Sequence, residues 1–153
     1  MDHDRLETIR RLEALKYRYV RALDTKDWDA LAATFESDAT ADYGERLDFS
    51  GVGEIMAFMR ENLGPTMITL HQVHQPELEV DGHEATGIWS LQDRVIMTEH
   101  RMILDGYATY HDRYRRGPDG NWRIAHTGYD RIYESMMSMD DVPSFKLTAN
   151  RFA

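Results

Sequence analysis

The feature that most restricts the fold is a change of hydrophobic period at Pro65. Before it, apolar residues recur at steps of three and four, the spacing of one helix face. After it, they recur at every second position, the spacing of one strand face. Leu6, Ile9, Leu12, Leu15, Tyr19 and Leu23 form the first helical stripe. "TKDWDALAATF" restarts a helix, with Thr25 or Asp27 as its cap and Trp28, Leu31 and Phe35 on its buried side. A short extended piece covers Thr40 to Tyr43, and "SGVGEIMAFMRENLGP" reads as a third helix stopped by Gly64 and Pro65.

Beyond Pro65, "HEATGIWSLQDRVIM" alternates strictly. Ala85, Gly87, Trp89, Leu91, Asp93, Val95 and Met97 share one face, and Thr86, Ser90, Gln92 and Arg94 the other. "ITLHQVHQPELEVDG", "GYATYHDRYRR" and "NWRIAHTGYDRIY" are further strands, the last two joined by the turn "GPDG". Helices first and strands later predict an α+β fold. Three N-terminal helices pack on a strongly curved antiparallel sheet, giving a cone-shaped α+β barrel with an interior. The 153 residues show no repeat or linker and fit one domain, 1–153.

Charge and composition narrow the function. The net charge is −9 and no basic stripe occurs, so nucleic acid is not an expected partner. No apolar run is long enough to span a membrane, and the charged N-terminus lacks the apolar core of a secretory signal. The absence of cysteine removes disulfides and thiolate chemistry and agrees with a cytoplasmic setting. Nine methionines and eight tyrosines suit an adaptable apolar pocket, or an ordinary core.

Few residues stand out as chemistry. Asp93 lies in phase with Trp89, Leu91 and Val95, where a carboxylate must be paired or protonated. It is a structural bond or a group meant for a ligand. Tyr19 sits on the first helical stripe as core or as a donor, and Asp24 falls where that helix ends, as a turn residue or a functional acid. His71 and His74, three apart on one strand, face opposite ways, and phase does not choose between them. Arg131, flanked by tyrosines two residues away on either side, can stack, pair with Asp93 or hold an anion. No metal-ligand spacing, phosphate loop or nucleophile elbow is present, so no metal or nucleotide cofactor is expected.

Taken together, in this order, these residues resemble a known family. Tyr-x4-Asp in "YRYVRALDTKDWDAL", a strand histidine, an inward aspartate and a late-strand arginine resemble the SnoaL-like branch of the nuclear-transport-factor-2-like (NTF2-like) superfamily. The stretches "HQVHQPELEVDGHEATGIWSLQDRVIMT" and "YHDRYRRGPDGNWRIAHTGYDRIYE" look closest to bile-acid 7-alpha-dehydratases, with scytalone dehydratase and lindane dehydrochlorinase more distant. The resemblance implies Tyr19, Asp24, His71, Asp93 and Arg131 as catalytic residues, and thereby His71 over His74. A dehydrochlorinase would need a lysine where Tyr19 stands. Tyr43, Phe58, Trp89 and Tyr110 are then candidate walls for a flat ligand.

The implied activity is a cofactor-independent hydro-lyase acting on a hydroxylated steroid-like or polycyclic enone, free or as a coenzyme A ester. A non-catalytic small-molecule binder, or an isomerase or aldol cyclase of the same fold, is the alternative. The resemblance also implies a homo-oligomer, a trimer before a dimer, built on the face carrying Thr86, Ile88, Ser90, Gln92, Arg94 and Ile96. The loop "TEHRMILDGY" should border the pocket. The tail "ESMMSMDDVPSFKLTANRFA" should cover its mouth, cross to a neighbour or fray.

Overall fold

The computed structural model describes residues 3–44 and 47–153. The chain runs α1 (His3–Thr25), α2 (Trp28–Ala32), β1 (Phe35–Asp42), β2 (Asp48–Ser50), α3 (Val52–Asn62), β3 (Met67–Asp81), β4 (Glu84–Met97), β5 (Met102–Arg116) and β6 (Trp122–Ser138). A single 3-10 turn, Met139–Asp141, follows. The six strands form one curved sheet in the order β2-β1-β6-β5-β4-β3, and the three helices pack on it. The fold is α+β, as the change of period predicts.

Four details differ from the sequence reading. The sheet is not closed: β2 and β3 are its edges, so the cone is open along one side. One pairing, β1 with β6, is parallel. Phe35 opens β1 instead of ending α2, because the Thr34 carbonyl accepts from Ile124 N at 2.8 Å and draws the chain into the sheet. β5 starts at Met102, inside the expected loop, and β6 runs on to Ser138, inside the expected tail.

α1 buries its stripe from Leu12 onward, with Leu12, Leu15, Tyr19 and Leu23 at 2% exposure or less, while Leu6 stays 42% exposed. Asp27 caps α2 by accepting from Ala30 N at 3.1 Å. Lys26, in the left-handed region at φ 57°, donates from Nζ to the carbonyls of Leu63 and Met67, both at 2.7 Å. That ammonium satisfies backbone groups just past α3 and ties the α1–α2 corner to the start of β3.

Sheet register determines what faces the interior. His71 pairs with Asp93, Asp93 with Gly106, and Gly106 with Glu134. Two positions away, Ala108 pairs with Arg131, because a bulge leaves Ile132 without an opposite number. Asp93 and Arg131, on strands separated by β5, therefore converge over Gly106.

Candidate active site

An interior cavity of about 260 Å³ is lined by Tyr19, His71, Asp93 and Arg131, together with Tyr43, Phe58 and Tyr110. Thr69, Tyr129 and Glu134 add polar atoms, and Leu23, Met59, Leu63, Met67, Val95, Met97 and Leu104 supply apolar wall. Met97 and Leu104 flank the β4–β5 turn, so that connection does border the cavity. Asp24 stands behind His71, in a shallow groove between α1 and β3 that also touches Tyr17, Arg21 and Val73.

The end of α1 presents Asp24 to the edge of β3. Its Oδ1 lies 2.6 Å from His71 Nδ1 and accepts from Thr69 Oγ1 at 2.9 Å, while Oδ2 accepts from His71 N at 2.8 Å. Both side chains are largely covered, at 18% exposure for Asp24 and 12% for His71. A carboxylate only accepts, so Nδ1 carries the proton of this contact, and in the neutral ring the Nε2 lone pair is then the one available to act as a general base. His74 faces the other way, opposite Ser90, with its ring 6.1 Å from that of Tyr107 on the outer surface.

Asp93 meets its partner in a two-pronged contact, Arg131 Nη1 to Oδ1 at 2.5 Å and Nη2 to Oδ2 at 3.0 Å. The third edge of the guanidinium, Nε, lies 3.1 Å from Glu134 Oε2, and its Cζ sits 5.0 Å from the centre of the Tyr129 ring. Loss of hydration alone would lower the Arg131 pKa, but the bonds and charge of Asp93 outweigh it, so the value lies above the ordinary arginine range. Gly106 makes the arrangement possible. A Cβ there would stand 2.6 Å from Asp93 Oδ1 and 2.8 Å from Arg131 Cζ, closer than any real contact.

Opposite these charges lies a cluster of phenols. The Tyr19 and Tyr43 hydroxyls are 2.9 Å apart, and Tyr110 meets the rings of Tyr19 and Tyr129 edge-on. Burial pushes the hydroxyls of Tyr19, Tyr43 and Tyr110 well above the ordinary tyrosine value, so all three remain neutral donors.

Trp89 does not line the cavity and is a correction to the sequence reading. It is fully buried and donates from Nε1 to Tyr114 OH at 2.9 Å. Tyr114 OH in turn donates to Asp112 Oδ2 at 2.7 Å. The sequence reading missed the centre of this network, a buried pair between Lys16 Nζ and Asp112 Oδ2 at 2.7 Å, with neither side chain exposed at all. Thr127 Oγ1 donates to the other oxygen of Asp112 at 2.7 Å. The Lys16 ammonium lies 3.5 Å from the centre of the Tyr110 ring and 4.7 Å from that of Tyr19. Burial lowers the Lys16 pKa, and Asp112 opposes that shift. The phenols thus rest on an ion pair held below the cavity floor. Among the described residues, no group of three or more histidine, aspartate or glutamate side chains is gathered to hold a metal. No described helix is long and apolar enough to cross a membrane.

Comparison with known proteins places this geometry in context. The SnoaL-like domain family matches residues 4–128. An uncharacterized protein of Mycobacterium tuberculosis, Rv2910c, is 27% identical over 136 residues, covering 88% of this chain and 89% of that protein. Among solved structures, a type 2 hexachlorocyclohexane dehydrochlorinase (LinA) superposes with a TM-score of 0.82 at 21% identity, over 90% of this chain and 94% of that one. A candidate scytalone dehydratase from Novosphingobium aromaticivorans gives 0.81 at 18% identity, over 98% and 95%. At these identities the structural likeness speaks for the fold alone.

Proposed function

Since the chain belongs to the SnoaL-like family within the NTF2-like fold, we propose that its cavity is the site of a cofactor-independent hydro-lyase. The observation that carries this reading is the short Asp24–His71 contact at the cavity wall. Elimination of water from a β-hydroxy carbonyl, or its vinylogue, needs three things: a base, a donor for the developing oxyanion, and a proton for the departing hydroxyl. His71 Nε2 takes the proton from the activated carbon, and Asp24 stabilises the imidazolium that results. Tyr19, braced by Tyr43, donates to the carbonyl oxygen, a contact worth about 3 kcal/mol at comparable sites.

The Arg131 contact supports an orienting role for Asp93. A carboxylate held by both nitrogens of a guanidinium is an acceptor, so Asp93 orients the leaving hydroxyl. The imidazolium of His71 then returns its proton to that hydroxyl, water leaves, and the product is the enone or, from the vinylogue, the dienone. The reaction asks for no metal or organic cofactor. The substrate we favour is a hydroxylated steroid-like or polycyclic enone, free or as a coenzyme A ester. About 260 Å³ takes the reacting ring and a neighbour, the rest projecting outward.

The test is incubation with 7-hydroxy-3-oxo-4-ene steroids and their thioesters, followed by mass spectrometry for a product one water lighter. His71→Ala and Asp24→Asn should abolish turnover while ligand still binds. Unchanged conversion in both would make the dyad structural. A second reading is an isomerase or aldol cyclase, which uses the same His71 base and Tyr19 donor and expels no water. Its product keeps the mass of the substrate, whereas a non-catalytic binder changes nothing. We also propose that the chain acts as a cytoplasmic homotrimer joined through the outer sheet face.

A further inference from the structure

We infer that the cavity selects a ligand uncharged at its reacting end and rejects carboxylates, and that Glu134 is the residue that enforces this. The inference deepens the site proposed above and rests on it. An arginine in a pocket ordinarily attracts anions. Here the guanidinium is already engaged: two nitrogens contact Asp93, the third meets Glu134 and one face lies toward Tyr129. Two carboxylates share one cation, so the cluster carries one formal negative charge in excess.

Sheet geometry makes this deliberate and local. Arg131 and Glu134, three residues apart on one strand, should face opposite ways. The bulge at Ile132 resets the phase and brings both to the cavity. Glu134 is 45% exposed, so its field reaches a ligand through partly solvated space and is weakened but not cancelled. A neutral carbonyl meets the Tyr19 and Tyr43 hydroxyls without penalty, whereas a carboxylate must approach an acidic pair with no unengaged lysine or arginine among the described residues that line the cavity. A coenzyme A ester satisfies the rule, because its reacting end is neutral and its phosphates lie far from it.

The test is binding alone, by titration calorimetry, of two bicyclic probes of matched size: 2-tetralone and 1,2,3,4-tetrahydro-2-naphthoate. The wild-type protein should bind the ketone at least about tenfold more tightly. Any apolar cavity disfavours a carboxylate, so the deciding comparison is Glu134→Gln, in which the ratio should shrink about fivefold or more. In the wild type, raising the salt concentration should shrink it as well, because only the charge part of the discrimination is screened. This second measurement stands even where the variant folds poorly. Preference for the acid, a ratio unmoved by both substitution and salt, or no binding of either probe would overturn the inference. If the ratio behaves as stated but no β-hydroxy ketone is dehydrated, the lyase reading fails and the charge rule stands.

Discussion

At the scale of single residues, the sharpest prediction concerns Gly106. Its missing side chain leaves the space through which Arg131 reaches Asp93. Gly106→Ala should displace the guanidinium, leave Asp93 under-paired and destabilise the fold by about 1–3 kcal/mol, read by urea unfolding. The same variant should lower any turnover, whereas Gly106 would be silent if the pair only decorated the cavity. A second prediction follows from the phenols. Burial raises Tyr19, Tyr43 and Tyr110 above their ordinary value, so their donor form persists as pH rises. Activity should show no alkaline loss from phenol ionisation below about pH 10, checked by a pH–rate profile.

Much at this scale was legible. Asp93 announced itself as an acid on an apolar phase, and it does face inward. The same signal was present twice more and went unread: Lys16 sits between Leu12 and Tyr19 on the α1 stripe, and Asp112 lies in phase with Ala108, Tyr110 and Tyr114. Glu134 was hidden, because simple alternation puts it on the outer face and only the bulge reverses that. Trp89 was placed on the correct face at the wrong depth, since a period tells face but not distance along a cone.

At the scale of elements, the Lys16–Asp112 pair joins α1 to β5 inside the core. Lys16→Met strands a buried carboxylate and should cost about 3–5 kcal/mol, while adding Asp112→Asn should recover part of that loss. Urea unfolding of the two variants checks this; equal losses would show that the pair is not coupled. The parallel seam between β1 and β6 carries its own sensitivity. Thr40 Oγ1 and His126 Nδ1 lie 2.7 Å apart across it, and burial lowers the His126 pKa. A histidine whose folded value lies below its unfolded value contributes stability that is complete above about pH 6.5 and is lost as pH falls through the folded value. The urea midpoint should therefore drop as pH falls below about 6.5, and His126→Gln should flatten that slope. The helices and β4 were readable because long periodic segments leave little choice. β2, three residues long, is too short to show a period, and the parallel partner of β1 depends on contacts far away in sequence.

At the scale of the whole molecule, the outer sheet face is the surface that asks for a partner. Leu70, Ile88 and Tyr133 point outward there at 50%, 41% and 53% exposure, and Tyr107 and Tyr133 stack with ring centres 6.4 Å apart. If the proposed trimer forms on this face, sedimentation should give three times the chain mass, and Tyr133→Glu should shift it toward the monomer. A monomeric wild type would remove the proposal.

Asp24 carries a second duty with practical weight. β3 is an open border of the sheet, and the acid at residue 24 covers one of its unpaired backbone amides, that of His71. Alanine there bares a docking point for the strand of another chain. Glassware tests of inactive protein could then record clumping in place of lost chemistry, so asparagine, which keeps an oxygen for that amide, is the cleaner silencer.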